Sequence, residues 1–162
     1  MDRYFRIYLQ REVDGAPVVD TIDSFGMYCM ENPFKTCVDV KEPVKRTWYD
    51  EHGDDEYIPP ADGLYMAAYE NKVKFGFKGK AYGANEKLKA FLEYLRGGMM
   101  KMYCEFNGIG RKNVRLKSIE DTLSRDVKGD EDILIVSVTF KFNDPITNVS
   151  PVKSNGKVTK LL

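Results

Sequence analysis

The sequence predicts an α+β domain that is mainly β: an antiparallel β-sandwich or partly open β-barrel with one α-helix on its flank. Three observations carry this expectation. Apolar and polar residues alternate with a period of two in stretch after stretch. A single segment, near residues 85–96, repeats its apolar residues at three and four instead. The composition, 43% apolar and 31% charged over 162 residues, suits one packed core and one domain. That domain is expected over residues 1–145, with a flexible Ser, Asn, Lys and Gly-rich tail over 146–162.

The first strand is expected over residues 4–9, where Phe5, Ile7 and Leu9 alternate with Tyr4, Arg6 and Tyr8. Asp14-Gly15 offers a turn into a partner strand over 18–22. Gly26, Pro33 and Pro43 interrupt residues 23–46, leaving one strand over 36–40 with Cys37 or Val38 inward. Residues 64–80 read as one long or bent strand, with Val73, Phe75 and Phe77 on one face and Lys72, Lys74, Gly76 and Lys78 on the other. The helix has Asn85 as its cap, Glu86 in its first turn, and Leu88, Phe91, Leu92 and Leu95 as its stripe; Gly97-Gly98 ends it.

Three alternating strands follow, over 100–106, 114–117 and 134–142. Asn107-Gly108-Ile-Gly110 is a turn between the first two. Residues 126–132 form a polar loop before the third. Pro145 stops the last strand because it has no N–H to donate.

Charge and cysteine usage exclude several classes of function. Twenty-five basic and 25 acidic residues give a net charge of zero, with no general pull on a phosphate backbone, so no sequence-specific nucleic-acid binding is expected. No apolar run approaches membrane-spanning length. Three cysteines without a paired short spacing suit a reducing cytoplasm, with Cys29 and Cys104 as small buried hydrophobes. Gly108-Ile-Gly110 precedes another strand rather than a helix, which argues against a dinucleotide or phosphate loop. None of the serines sits in a nucleophile elbow, and His52 is the only imidazole. No catalytic residue, metal or cofactor is expected.

Residues 47–60 draw the eye, because they gather the only tryptophan and the only histidine with Asp50, Glu51, Asp54, Asp55 and Glu56. Imidazole and carboxylate are ligand types for divalent cations, so Asp50, His52, Asp54 and Asp55 are the residues a metal site would use. Their spacing does not match a calcium-binding loop. The other reading is a solvated tip whose Trp48, Tyr49, Tyr57 and proline pair anchor it, either to the β-rich body or to a neighbouring subunit.

The residues met so far also carry a resemblance. Pro33-Phe-Lys35, the run from Lys45 to Tyr57, Lys74-Phe-Gly-Phe-Lys-Gly79 and the helix Leu88 to Leu95 come first. Gly110-Arg-Lys-Asn-Val-Arg-Leu-Lys117 and Val138-Thr-Phe-Lys-Phe-Asn-Asp-Pro145 follow. In that order, over residues 23–145, they resemble prophage-encoded tail proteins of Bacteroides-type bacteria, similar to distal tail or tail-tube proteins. The resemblance implies a non-enzymatic structural protein, made in the cytoplasm and then part of the virion tail. It further implies a sandwich or barrel with a flanking helix, assembled with itself as hexameric rings and with other tail proteins.

In such a ring Trp48, Tyr49 and Tyr57 would be buried anchors. Asp50, Glu51, His52, Asp54, Asp55 and Glu56 would meet basic rims such as Lys45, Arg46, Arg111, Lys112 or Arg115. The alternatives are a small soluble binding module whose acidic aromatic loop takes a basic ligand or a cation, or a metal-dependent enzyme.

Overall fold

Alternating strands bury one face only if something covers it, and here the sheet curls to cover itself. The computed structural model describes residues 5–61, 63–80, 84–125 and 131–162. In chain order it contains β1 (Ile7–Arg11), β2 (Val18–Asp20), α1 (Thr21–Phe25), β3 (Tyr28–Cys29), β4 (Val44–Arg46), β5 (Asp55–Tyr57), β6 (Tyr69–Lys80) and α2 (Ala84–Leu95). These are followed by β7 (Met100–Cys104), β8 (Ile109–Arg125), β9 (Glu131–Phe142), β10 (Pro151–Ser154) and β11 (Lys157–Leu161). Seven strands form one antiparallel sheet in the order β2-β1-β7-β8-β9-β6-β3, and β4-β5 and β10-β11 form two separate ribbons.

The mainly β, α+β expectation holds, and the sheet is a barrel left open rather than closed. The edge of β1 that pairs with β2 also reaches β3: Phe5 N–H donates to the Cys29 carbonyl at 2.8 Å and Cys29 N–H donates back at 3.0 Å. Among the described residues, that bridge is the return of the seventh strand toward the second. Beside it, Thr21 is fully buried and its hydroxyl accepts from Ile7 N–H at 3.4 Å, so α1 fills part of the opening.

Local chemistry explains α1. Asp20 caps it, its side chain accepting from Ile22 N–H at 2.8 Å, and Gly26 ends it in the left-handed region at φ 64°. Any Cβ at Gly26 would also meet the Phe77 ring at 2.9 Å. The sequence expectation had one helix; the second begins inside the strand expected over 18–22 and ends in the irregular chain expected after it.

The core lies on the concave face. Val73, Phe75, Val136, Val138, Phe140 and Phe142 are all buried there, with Ile7 and Leu9 from β1 and Met100 and Met102 from β7. Phe91 of α2 lies 5.4 Å from Phe25 of α1 and 5.2 Å from Phe75 of β6. Phe75 continues to Phe140 at 6.3 Å, and Phe142 stacks on Tyr69 at 4.7 Å. Tilted and edge-on pairs of this kind add about 0.5–1.5 kcal/mol each beyond area burial. The C-terminal end of α2 has no basic residue of its own, and Arg11 of β1 supplies one, donating to the Tyr94 carbonyl at 3.1 Å.

Several expectations shift. No strand forms over 36–40: Cys37 is exposed, Val38 packs partly on the core, and Val40 makes only an isolated bridge with Met66. The strand expected from residue 64 begins at Tyr69, because residues 65 and 67 bond across to 41 and 39 instead. Asn85 is the second residue of α2 rather than its cap, and residues 81–83 before the helix lie outside the described residues. The short strand expected over 114–117 is part of 17-residue β8, which resumes its pairing with β9 after a bulge between Leu116 and Ser118. The polar loop expected over 126–132 falls mostly on residues 126–130, outside the described ones.

The segment expected as a tail carries the β10-β11 hairpin. Asn155 (φ 48°) and Gly156 (φ 76°) make the two-residue turn with positive φ at both positions that suits the strand twist. Its end is latched to the body: Leu161 is fully buried, its N–H donates to Gln10 Oε1 at 2.9 Å, and Lys101 Nζ donates to its carbonyl at 3.0 Å. Val149 lies against Gly110 so closely that a methyl group there would run into its backbone oxygen.

Gln10 is the buried pivot of this latch, since its amide also donates to the Ala16 carbonyl at 2.8 Å. Replacing it by alanine leaves Leu161 N–H buried without a partner, for an expected loss of about 1–3 kcal/mol in urea unfolding. A loss within error of zero would show that the hairpin is not held through Gln10.

Candidate functional site

Residues 39–67 leave the body as an arm. At its root Ala67 N–H donates to the Asp39 carbonyl at 2.8 Å and Lys41 N–H to the Tyr65 carbonyl at 2.7 Å. Further out, β4 and β5 pair in the register Val44↔Tyr57, Lys45↔Glu56 and Arg46↔Asp55. Residues 47–54 turn the chain between these strands, with Gly53 at φ 83°.

The tip is held by its own side chains. Thr47 Oγ1 donates to Asp54 Oδ1 at 2.7 Å, and Trp48 Nε1 donates to Asp55 Oδ2 at 3.2 Å. Lys45 Nζ lies 3.4 Å from Asp54, and the Arg46 guanidinium stands 6.0 Å from the Trp48 ring centre. The hydrogen bond from Thr47, aided by Lys45, holds the Asp54 carboxyl below its ordinary range. Asp54 and Asp55 therefore brace the turn rather than face one another across an ion. Among the described residues no three His, Cys, Asp or Glu side chains are grouped to hold a metal.

The aromatic flanks have no home on the body. Tyr49 is fully exposed, Tyr57 is 69% exposed, Val44 77% and Trp48 48%. None of them belongs to the buried core cluster of the body. Between ribbon and root runs a groove of about 350 Å³, lined by Pro43, Val44, Tyr57, Ile58, Leu64 and Tyr65 among others.

The basic residues expected opposite the arm take partners elsewhere. Arg111 on β8 donates to the Asn148 side chain and, at 2.9 Å, to the Gly110 carbonyl. Lys112 lies 3.8 Å from Asp144, and Arg115 donates to the Leu116 carbonyl at 3.1 Å. Of the expected site residues the structure thus brings together Trp48, Asp54 and Asp55 with Lys45 and Arg46. It exposes Tyr49, Asp50, Glu51, His52, Glu56 and Tyr57 around them, and leaves Arg111, Lys112 and Arg115 apart.

A second hollow, of about 330 Å³, lies where the β10-β11 turn approaches β1 and α1, and Tyr8, Ser24 and Lys157 line it with an ion cluster. In that cluster Arg6 reaches Asp20 at 2.9 Å and Asp23 at 3.6 Å. Nothing in the sequence flags this hollow, whose parts come from opposite ends of the chain. Its charges neutralise one another.

The cysteines divide as chemistry requires. Burial pushes the Cys29 thiol up to about 12 and raises that of Cys104, so neither forms a thiolate at neutral pH. Cys37 is exposed. Titration of the folded protein with a thiol reagent is expected to modify one cysteine rapidly and the other two only on unfolding; rapid reaction of all three would contradict the buried placement.

No helix among the described residues is long and apolar enough to cross a membrane. No protein-family model matches this chain, and no curated protein matches it either.

Proposed function

We propose that this chain is a non-enzymatic structural protein of a phage tail, a subunit of a ring in the tail tube or distal tail. Its partners are further copies of itself and other tail proteins. It is assembled in the bacterial cytoplasm and carried in the virion tail. One observation supports this reading above the others: an arm that holds Val44, Trp48, Tyr49 and Tyr57 out to solvent while the body's core is already filled. Aromatic side chains presented in this way are anchors of the kind enriched at the centres of protein interfaces.

Ring closure needs one surface of a subunit to meet a different surface of the next, and an arm reaching away from a body supplies such a pair. The ribbon adds backbone to side chains. With only two strands, β4 and β5 each keep an outer edge without a strand partner in their own sheet, and edges of that kind are satisfied by joining another chain. A carboxylate-rich tip that braces its own turn suits docking better than acid-base or metal chemistry.

Size-exclusion chromatography with light scattering, followed by negative-stain imaging, tests the reading. Rings or closed oligomers are expected from the natural chain, and Trp48→Ala or deletion of residues 50–56 is expected to abolish them while leaving the far-ultraviolet spectrum of a folded β protein. A chain that stays monomeric at every concentration and alongside other tail proteins would overturn it.

A further inference from the structure

The net charge of zero conceals a division. Residues 39–67 carry eight acidic and three basic side chains, a net of −5, which leaves +5 on the rest of a chain whose total is zero. The arm and the body are thus opposite in sign, and the arm stands away from the body at a root closed by the Val40↔Met66 bridge. A molecule divided in this way is electrostatically complementary to its own copy, arm to body, in a head-to-tail sense.

Part of the body's excess, a net +2 from five basic and three acidic side chains, lies on the outward face of the long strands. Because Val73, Phe75, Val136, Val138 and Phe140 point into the core, their neighbours along β6, β9 and β8 point outward. The register sets Glu70, Lys141 and Arg115 in one row, Lys72, Thr139 and Ser118 in the next, and Lys74, Ser137 and Glu120 in a third. Lys117, in the β8 bulge, reaches back to Glu70. Lys72, Lys74, Lys117, Lys141 and Arg115 therefore face out against Glu70, Glu120 and nearby Glu31. The small Ser118, Ser137 and Thr139 keep the centre low, so the aliphatic stems of the lysines form its walls.

Resting on the assembly reading, we infer that the acidic aromatic tip of one copy docks on the outward β6-β9-β8 face of a second copy. Trp48 and Tyr49 lie along the lysine stems, while Asp50, Glu51 and Glu56 meet the ammonium and guanidinium groups. Aromatic faces and cations attract in this arrangement, and the carboxylates fix the direction of approach. The basic partners are thus Lys72, Lys74, Lys117, Lys141 and Arg115; Lys72, Lys74 and Lys117 would share or exchange their own Glu120, Glu31 and Glu70 for the carboxylates of the tip.

A charge exchange tests this directly. Asp50→Lys/Glu51→Lys alters the tip without touching the Asp54 and Asp55 braces, and Lys72→Glu/Lys74→Glu alters the face. Each variant alone is expected to lose about tenfold or more in self-association. Mixed in equal amounts the two are expected to assemble, because each altered tip then finds an altered face and each natural tip a natural face.

Assembly of the face variant at natural strength would overturn the inference while leaving the ring reading standing, as would a mixture that stays dissociated while the natural chain assembles. Loss of assembly with Lys153→Glu/Lys157→Glu alone would move the contact to the C-terminal hairpin and also overturn it. A natural chain that never associates, alone or with other tail proteins, would sink both readings. Circular dichroism of every variant confirms that folded protein is being compared.

Discussion

Phe91 is the contact on which the rest of the structure depends. Lying between Phe25 and Phe75, it ties α2 and α1 to the concave face of a sheet whose own ends meet, among the described residues, through one bridge. Remove that ring and α2 loses its aromatic contact with β6, α1 keeps only the Tyr94 ring of α2, and the opening between β1 and β3 loses cover. The aromatic chain that runs on through Phe75 and Phe140 fills the remaining interior to the far end of β9. A core packed to this extent accepts no further large side chain without strain.

That fullness has an outward consequence. The arm's aromatic residues cannot fold back into an interior already occupied, and a ribbon of three residue pairs offers them little to pack against on its own. Its stability comes from local braces, Thr47 to Asp54 and Trp48 to Asp55, which set the shape of the tip without covering it. The result is a preformed projection with apolar surface and negative charge together. Preforming the tip lowers the ordering entropy that the proposed docking would otherwise spend.

The body was largely legible in the sequence because its signals are periodic and local. Val73, Phe75 and Phe77 alternating with lysines, and Leu134 to Phe142 alternating with small polar residues, marked β6 and β9 and the face each would bury. The stripe of Leu88, Phe91, Leu92 and Leu95 marked α2. Where meaning depended on partners far along the chain, the sequence was mute. Thr21 reads as a strand residue until Asp20 is seen to cap a helix there, and Gln10 lies just past the strand expected over 4–9 with nothing local to mark it as the partner of Leu161. The C-terminal hairpin was the avoidable miss, for Asn155-Gly156 between Val152 and Val158 is a strong hairpin signal that polar composition obscured. In the arm, residue types suggested both an ion site and a contact loop. What the geometry adds is that among the described residues no three His, Cys, Asp or Glu side chains are grouped to hold a cation, while Asp54 and Asp55 brace the turn.

The central claim is that the arm's apolar surface is exposed in the single chain and covered by another copy. Trp48 is the only tryptophan, so tryptophan emission, excited selectively over the ten tyrosines, reports on the arm alone. Emission and acrylamide quenching followed over a dilution series, with molecular mass measured on the same samples, test the claim most directly. The account predicts a solvent-exposed, readily quenched Trp48 at low concentration that becomes shielded as mass rises. A Trp48 already shielded in the monomer, or one equally quenchable at every mass, would contradict it.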